Sequence, residues 1–498
     1  MSHHHLPIIL FLLPFATAIC MPMVGSRRRH WCRPMALTAI FAMCVAAAIN
    51  LKLVVENGET RYAFGGWPIS PSLPDHPLGI EWVNDGLASV MLVVLSSLAW
   101  LCLIYAGPLA KSLGKREVLY YTLILLLISG LAGIVLAGDI FNVFVFLEVA
   151  ALSAYALVGI PGGRSLIVAF RYLILGTLGA SFYLLGVVFL YASTGTLNME
   201  DMARQMADNP ELMTSKAVIA GTTFIFIGFG IKMALFPLHG WLPGAYTRAP
   251  DSISPLLAAL MTKVALFGWV RMMFWVLGAH AEFGQIHVLT LLGGLGALAA
   301  VVGALLALSQ DNVKRMFAYG GISHIGLILL GMSEGNQTGF AGSMFYLIND
   351  AVMQAGVFFI AGAAIHHYGA RTIDEMSSLR RSPWMIGALI VLALSMIGIP
   401  PTGGFFGKWH IILGALEAGN YLSVTAVVVA TLLTMAYFQR MFIRIFADRE
   451  ELPTSANDEL DPSLKLSIGL AAVAVIVLGL LSDPIVKFFR EAAATVDL

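Results

Sequence analysis

Apolar runs recur along the chain at about 6–24, 35–55, 84–106, 118–137, 139–160, 168–192, 216–236, 251–277, 287–308, 316–332, 340–366, 383–416, 420–446 and 464–482. Most are close to the ~20 residues that an α-helix needs to cross a hydrocarbon core. The pattern predicts an all-α polytopic membrane protein with about 14 transmembrane helices. Connections are short, the longest being 56–83, 193–215 and 447–463, so no soluble domain is expected. The first run, Leu6 to Val24, is long for a signal-peptide core and has no basic residue before it, so it reads as the first span.

Two runs are interrupted. The seventh reads GFGIKMALFPLHGWLP, with Pro237 and Pro243; the twelfth reads SMIGIPPTGGFFGKWH, with Pro400 and Pro401. Proline removes a helical hydrogen bond, and in lipid the freed backbone groups are tolerated only against protein or water. A lysine stands beside each break, Lys232 and Lys408. Broken helices at matching positions of two halves point to inverted repeats with an ion site between them. The expected organisation is therefore spans one to three in 1–117, one five-helix repeat in 118–277, a second in 287–446, and a loop with the last span in 447–498.

Composition sharpens this picture. Of 498 residues, 58% are hydrophobic and only 12% charged, with 29 basic and 29 acidic side chains. Average soluble domains carry about 25% charged residues, so soluble enzymes, nucleic-acid binders, disordered chains and disulfide scaffolds do not fit. Cys20, Cys32, Cys44 and Cys102 form no CxxC pair or Cys/His cluster, which predicts no redox centre, metal or cofactor in this chain. His3, His4 and His5 read as incidental rather than metal-binding. No GxxxxGK[ST] loop is present, and LLGGLGALAAVVGALLAL suits close helix packing. With the N-terminus outside, about 18 Lys/Arg residues fall in inside loops and five in outside ones. The positive-inside rule then places both termini outside a cell membrane.

An ionisable group at a span centre costs about 2.5–3.5 kcal/mol or more, and so marks function by default. Glu148 lies nine residues after Asp139, about 13 Å along its helix. Lys232 is at the first break; a lysine's hold on its proton depends on burial and on the distance of a carboxylate, so a Lys–Glu pair can act as a switch. Lys263 lies twelve residues after Asp251, about 18 Å into the eighth span, with no partner evident in sequence. His324 suits a proton relay, and His239 follows Pro237 at the inner mouth. Asp350 and Gln354 share one face of the eleventh span, Lys408 completes the set, and Arg171 in the sixth could modulate Glu148. Arg271 is read as snorkelling towards an interface, and Lys52, Asp139 and Lys216 as span-end anchors. One acid, three lysines and one or more histidines spread across the midplane form a relay for protons, unlike a single substrate pocket or a carbonyl-lined filter.

The segments GDIFNVFVFLEVAALSAYALV, GASFYLLGVVFLYASTGTLNMEDMA, GIKMALFPLHGWLPGAYTRAP, LLAALMTKVALFGWVR and DNVKRMFAYGGISHIGLILLG resemble the antiporter-like subunits of the complex I superfamily, over about residues 60–450. TGTLNMEDMA and the GGWP stretch from Gly65 to Pro68 look most like the D subunit of Mrp-type multisubunit cation/proton antiporters. The N and M subunits of NADH–quinone oxidoreductase and the matching subunits of membrane-bound hydrogenases are similar too. The resemblance implies 14 helices with inverted repeats, a Glu148–Lys232 pair, a central Lys263, then His324, and Lys408 at the end of the axis. It also implies a departure: relatives often carry lysine where this chain has Gln354, and a histidine near Asp350. Either water or Asp350 would fill that gap.

The expected function is a proton-translocating subunit of a multisubunit Mrp-type monovalent cation (Na+)/H+ antiporter. Its partners would be other membrane subunits, protons, a monovalent cation and the lipid bilayer, with no nucleic acid. The alternatives are a proton-pumping subunit of a redox complex, such as NADH–quinone oxidoreductase or a membrane-bound hydrogenase, and a scaffold whose buried charges only hold neighbours together.

Overall fold

The computed structural model describes residues 5–66, 79–278, 282–283, 286–447 and 460–494. His3, His4, Trp67 and Pro68, which entered the sequence reading, lie outside the described residues. The chain is almost entirely helical: α1 Leu6–Arg27, α2 Cys32–Asn57, α3 Gly86–Ala110, α4 Glu117–Leu136, α5 Ile140–Gly159, α6 Arg164–Thr194, α7 Met199–Asp208, α8 Lys216–Lys232, α9 Leu242–Arg248, α10 Ser254–Leu277, α11 Val288–Leu308, α12 Val313–Ser333, α13 Gln337–Tyr368, α14 Pro383–Ile397, α15 Gly403–Glu417, α16 Tyr421–Ala447, α17 Pro462–Leu480 and α18 Ser482–Ala493. Among the described residues, twelve helical stretches are long and apolar enough to cross a membrane. They do not include the interrupted pairs α8–α9 and α14–α15, which coincide with the proline breaks.

In two peripheral and two central helices hydropathy and burial run in opposite directions, as expected where lipid replaces water as the solvent. The peripheral helices α6 and α11 have mean hydropathies of 2.2 and 2.4, yet only 39% of each is buried in protein. The central helices α10 and α13 reach only 1.5, and 94% of each is buried. Lipid tolerates apolar side chains, so polar groups must collect where protein surrounds them. The candidate residues Lys263, Asp350 and Gln354 all lie on these two central helices.

Ion pairs tie the helix ends and their connections to one another. Arg29 meets Glu117 at 3.1 Å and Arg444 meets Asp374 at 3.3 Å, and Arg440 pairs with Asp311. Arg61 pairs with Glu59 and Glu200, and Arg271 with Asp85. Arg271 is therefore salt-bridged rather than merely snorkelling; its guanidinium also lies 5.4 Å from the Phe267 ring and 5.1 Å from that of Trp275.

Three features of the connections escape the apolar pattern. A short antiparallel hairpin, β1 Thr60–Ala63 with β2 Glu81–Asn84, lies between α2 and α3. The amphipathic helix α7 lies beside it, started by Asn198, whose side chain accepts from the backbone N–H groups of Glu200 and Asp201. The amphipathic α18 follows the last span and packs on α13.

Candidate functional site

The first cluster is built at the α8–α9 break. Asp139 caps α5 by accepting from Asn142 N at 2.7 Å, which fixes the helix start and sets Glu148 nine residues in. Ser215 caps α8 in the same way, and Lys232 is that helix's last residue. Lys232 Nζ donates to Glu148 Oε1 at 3.0 Å and lies 3.5 Å from Tyr155 Oη. Lys232 is buried; Glu148 keeps 22% of its side chain exposed on the flank of the bundle. Tyr155 comes this close because α6 has Gly176 opposite, where a Cβ would fall 1.7 Å from the Tyr155 oxygen. After Lys232 the backbone turns out of helical geometry, with Ala234 at φ 59°, a left-handed value that non-glycine residues rarely adopt.

A broken helix leaves carbonyls without partners. Here the Trp241 indole N–H donates to Ile231 O at 2.7 Å, and its ring stacks on Tyr172 at 4.2 Å. That capping leaves the lysine free to face Glu148. At the second break the order is reversed. Lys408 Nζ donates to Met396 O at 2.9 Å, Ile397 O at 3.0 Å and Thr431 Oγ1 at 3.2 Å. The cation thus closes the C-terminal end of α14, where the helix dipole favours positive charge. The two lysines are not equivalent: Lys232 ends the half-helix before its break, whereas Lys408 lies in the half-helix after its break.

Between the breaks lies a fully buried cluster. Lys263 Nζ stands 2.8 Å from Asp350 Oδ2 and donates to Ala258 O at 2.9 Å. Asp350 Oδ1 lies 2.6 Å from His324 Nδ1. Lys263 follows a π-helical turn, Leu257–Met261, inside α10; such bulges occur frequently at functional sites. Gln354 lies one turn beyond Asp350, against Gly321 of α12. His324 Nε2, Tyr346 Oη and Gln354 Nε2 are buried without a hydrogen-bond partner among the described residues.

The structure therefore joins Glu148 with Lys232, and Lys263 with Asp350 and His324. The partner of Lys263 that the sequence did not make evident is Asp350. Lys408 stands apart on its carbonyls. His239 sits within the first break, stacked on Phe236 at 5.2 Å, with no hydrogen bond to Lys232. Arg171 is exposed on α6 and makes no hydrogen bond to Glu148.

Sequence reading misses Tyr155 and the Asp251–Lys314 pair. Hydropathy puts Lys314 in a loop; the structure buries it in the first turn of α12, donating to Asp251 Oδ1 and Ala249 O at 3.0 Å each. A signal is available. Asn312 is a strong N-cap residue, so Lys314 must lie at a helix N-terminus, where the dipole disfavours a cation lacking a counter-charge.

Residues 137–434 match the family model described as NADH:quinone oxidoreductase/Mrp antiporter, transmembrane. The chain is 38% identical to the N subunit of NADH-quinone oxidoreductase from Desulforudis audaxviator (strain MP104C), over 97% of this chain and 97% of that protein. It is 29% identical to the D subunit of the Na(+)/H(+) antiporter from Alkalihalophilus pseudofirmus, over 98% of this chain and 97% of that protein. Among solved structures it is similar to a chain of the membrane-bound sulfane sulfur reductase, an archaeal respiratory membrane complex, with TM-score 0.87, 28% identity and coverage of 99% and 97%. A chain of the Mrp complex from Dietzia sp. DQ12-45-1b shares the fold, with TM-score 0.86, 23% identity and coverage of 100% and 98%.

Proposed function

Because the chain belongs to the NADH:quinone oxidoreductase/Mrp antiporter family of transmembrane proteins, as an antiporter-like membrane subunit, we propose that it translocates protons within a multisubunit Mrp-type cation/proton antiporter. The observation that carries this reading is the buried Lys263–Asp350–His324 cluster. A buried ion pair gives little net stability over well-packed apolar residues. Titratable groups placed within hydrogen-bond distance, at the centre of a membrane bundle, suit proton transfer instead.

In this reading a proton approaches by the break at Lys232 and His239. It passes from Lys232 to Lys263, through Asp350 to His324, and on to Lys408, with Gln354 and bridging water as accessory partners. Separating Glu148 from Lys232 leaves the buried lysine without its counter-charge, so the state of that pair biases the direction of transfer. Arg171 and Asp139 are accessory. Each interrupted helix pair counts as one crossing, giving 14 crossings, two inverted repeats at 118–277 and 287–446, and both termini outside.

The 38% identity to an N-subunit protein favours a second reading, in which the same chain is the pump module of a redox complex. Purification of the tagged chain from its host separates the two. Co-purifying small membrane subunits and a large antiporter-like subunit, without iron–sulfur or flavin proteins, support the antiporter. Iron–sulfur, flavin or nickel subunits in stoichiometric amounts overturn it in favour of the redox pump.

A further inference from the structure

On the flank of the bundle, α4, α5 and α6 leave a groove of about 570 Å³. Its walls include Leu119, Leu152, Phe170 and Leu173, and Arg116 and Gly162 line its mouth. Leu152 and Phe170 are more than half exposed, so this wall is unpartnered within the chain. Leu173 lies nine residues past Arg164, about 13 Å along α6. That is the depth of one leaflet, half of a hydrocarbon core of about 30 Å. The mouth is basic: Arg116 is exposed and commits Nη1 to Ile160 O at 2.6 Å. A guanidinium has five N–H donors in a planar fork that suits phosphate, so donors remain.

We infer that this groove binds an anionic phospholipid, with one acyl chain lying in it and the phosphate on Arg116. What selects that occupant is the mouth of the groove, at one end of an apolar α6 face that stays exposed as far as Tyr191. Its charge is complementary to a phosphate, and it opens on the side rich in Lys and Arg, where anionic lipid is expected. The site does not depend on what the buried axis carries. It does adjoin that axis, because Tyr155 is part of the groove wall and lies 3.5 Å from Lys232.

The test uses the assembled complex in phosphatidylcholine vesicles containing a minor fraction of phosphatidylglycerol with a diazirine on one acyl chain. After photolysis, labelled peptides are mapped. Labelling should concentrate on residues 152–173 and fall about tenfold in Arg116→Gln, the loss expected for a charge-assisted hydrogen bond. It should fall likewise in Leu152→Trp, which fills the groove without altering charge, and when the diazirine is carried by phosphatidylcholine. Equal labelling in wild type and both variants, or by the two lipids, overturns the proposal and leaves only ordinary boundary lipid. So does a photo-crosslinking residue at Phe170 that captures a neighbouring protein instead of lipid.

Discussion

Lys263 Nζ stands 2.8 Å from Asp350 Oδ2, and both side chains are buried. The two residues come from different helices, 87 positions apart, and meet where the bundle is most enclosed. Removing one member of a buried pair costs about 3–5 kcal/mol, because the other charge is left uncompensated. Asp350→Asn is therefore expected to lower the thermal stability of the complex and to cut proton transport about a hundredfold or more. Adding Lys263→Met should recover most of the stability and none of the transport. Thermal melts with a double-mutant cycle, read beside transport assays, check this. A double variant that still transports contradicts it.

Lys408 has a structural duty as well as a proposed chemical one. Its ammonium satisfies the carbonyls of Met396 and Ile397. Arginine can donate to the same oxygens but does not give up its proton in a protein. Lys408→Arg should assemble with near-normal stability and lose transport, while Lys408→Met should lose both. Normal proton flux in Lys408→Arg restricts the residue to capping.

Trp241 holds the corresponding position at the first break by a single N–H donor. Trp241→Phe keeps a ring on Tyr172 but leaves Ile231 O with only the Ala234 N–H at 3.2 Å, a loss of about 0.5–1.5 kcal/mol. Transport should weaken rather than vanish, with faster amide hydrogen exchange confined to the end of α8. Exchange unchanged there would show that another donor takes over.

The β1–β2 hairpin should respond to pH through Glu81. This carboxylate is buried, and its burial raises its pKa above the ordinary 4.5 despite the Asn198 amide at 2.8 Å and Arg61 at 3.5 Å. Glu200 adds like charge. The folded state thus binds more protons than the unfolded one between 4.5 and the raised value. Local stability rises as pH falls through that window and declines as pH climbs back. Hydrogen exchange of the 81–84 backbone at about pH 5 and about pH 8, corrected for intrinsic rates, should show this in wild type and not in Glu81→Gln. An identical dependence in both proteins contradicts it.

Much of this is legible in the pattern of apolar runs. The breaks at Pro237 and Pro401, the half-buried Glu148 and the buried Lys232, Lys263, His324 and Lys408 follow from hydropathy and from the cost of charge in lipid. What escapes is long-range pairing. Nothing local distinguishes Asp350 as the partner of Lys263 and His324, since the contact depends on how α10, α12 and α13 pack. Arg171 sits on the exposed face of α6, where periodicity alone does not say which face meets lipid. Amphipathic α7 and α18 are hidden from a search for spans, although the Asn198 cap is legible. Tyr155 escapes because an aromatic in an apolar run looks like packing.

The most direct test of the proton axis is flux in proteoliposomes carrying the assembled complex, followed with an internal pH-sensitive dye. Glu148→Ala and Lys232→Ala should each abolish proton movement while all partner proteins still co-purify. Undiminished flux in either variant, with the complex intact, would contradict the account; loss of assembly without a separable loss of flux would assign the pair to scaffolding.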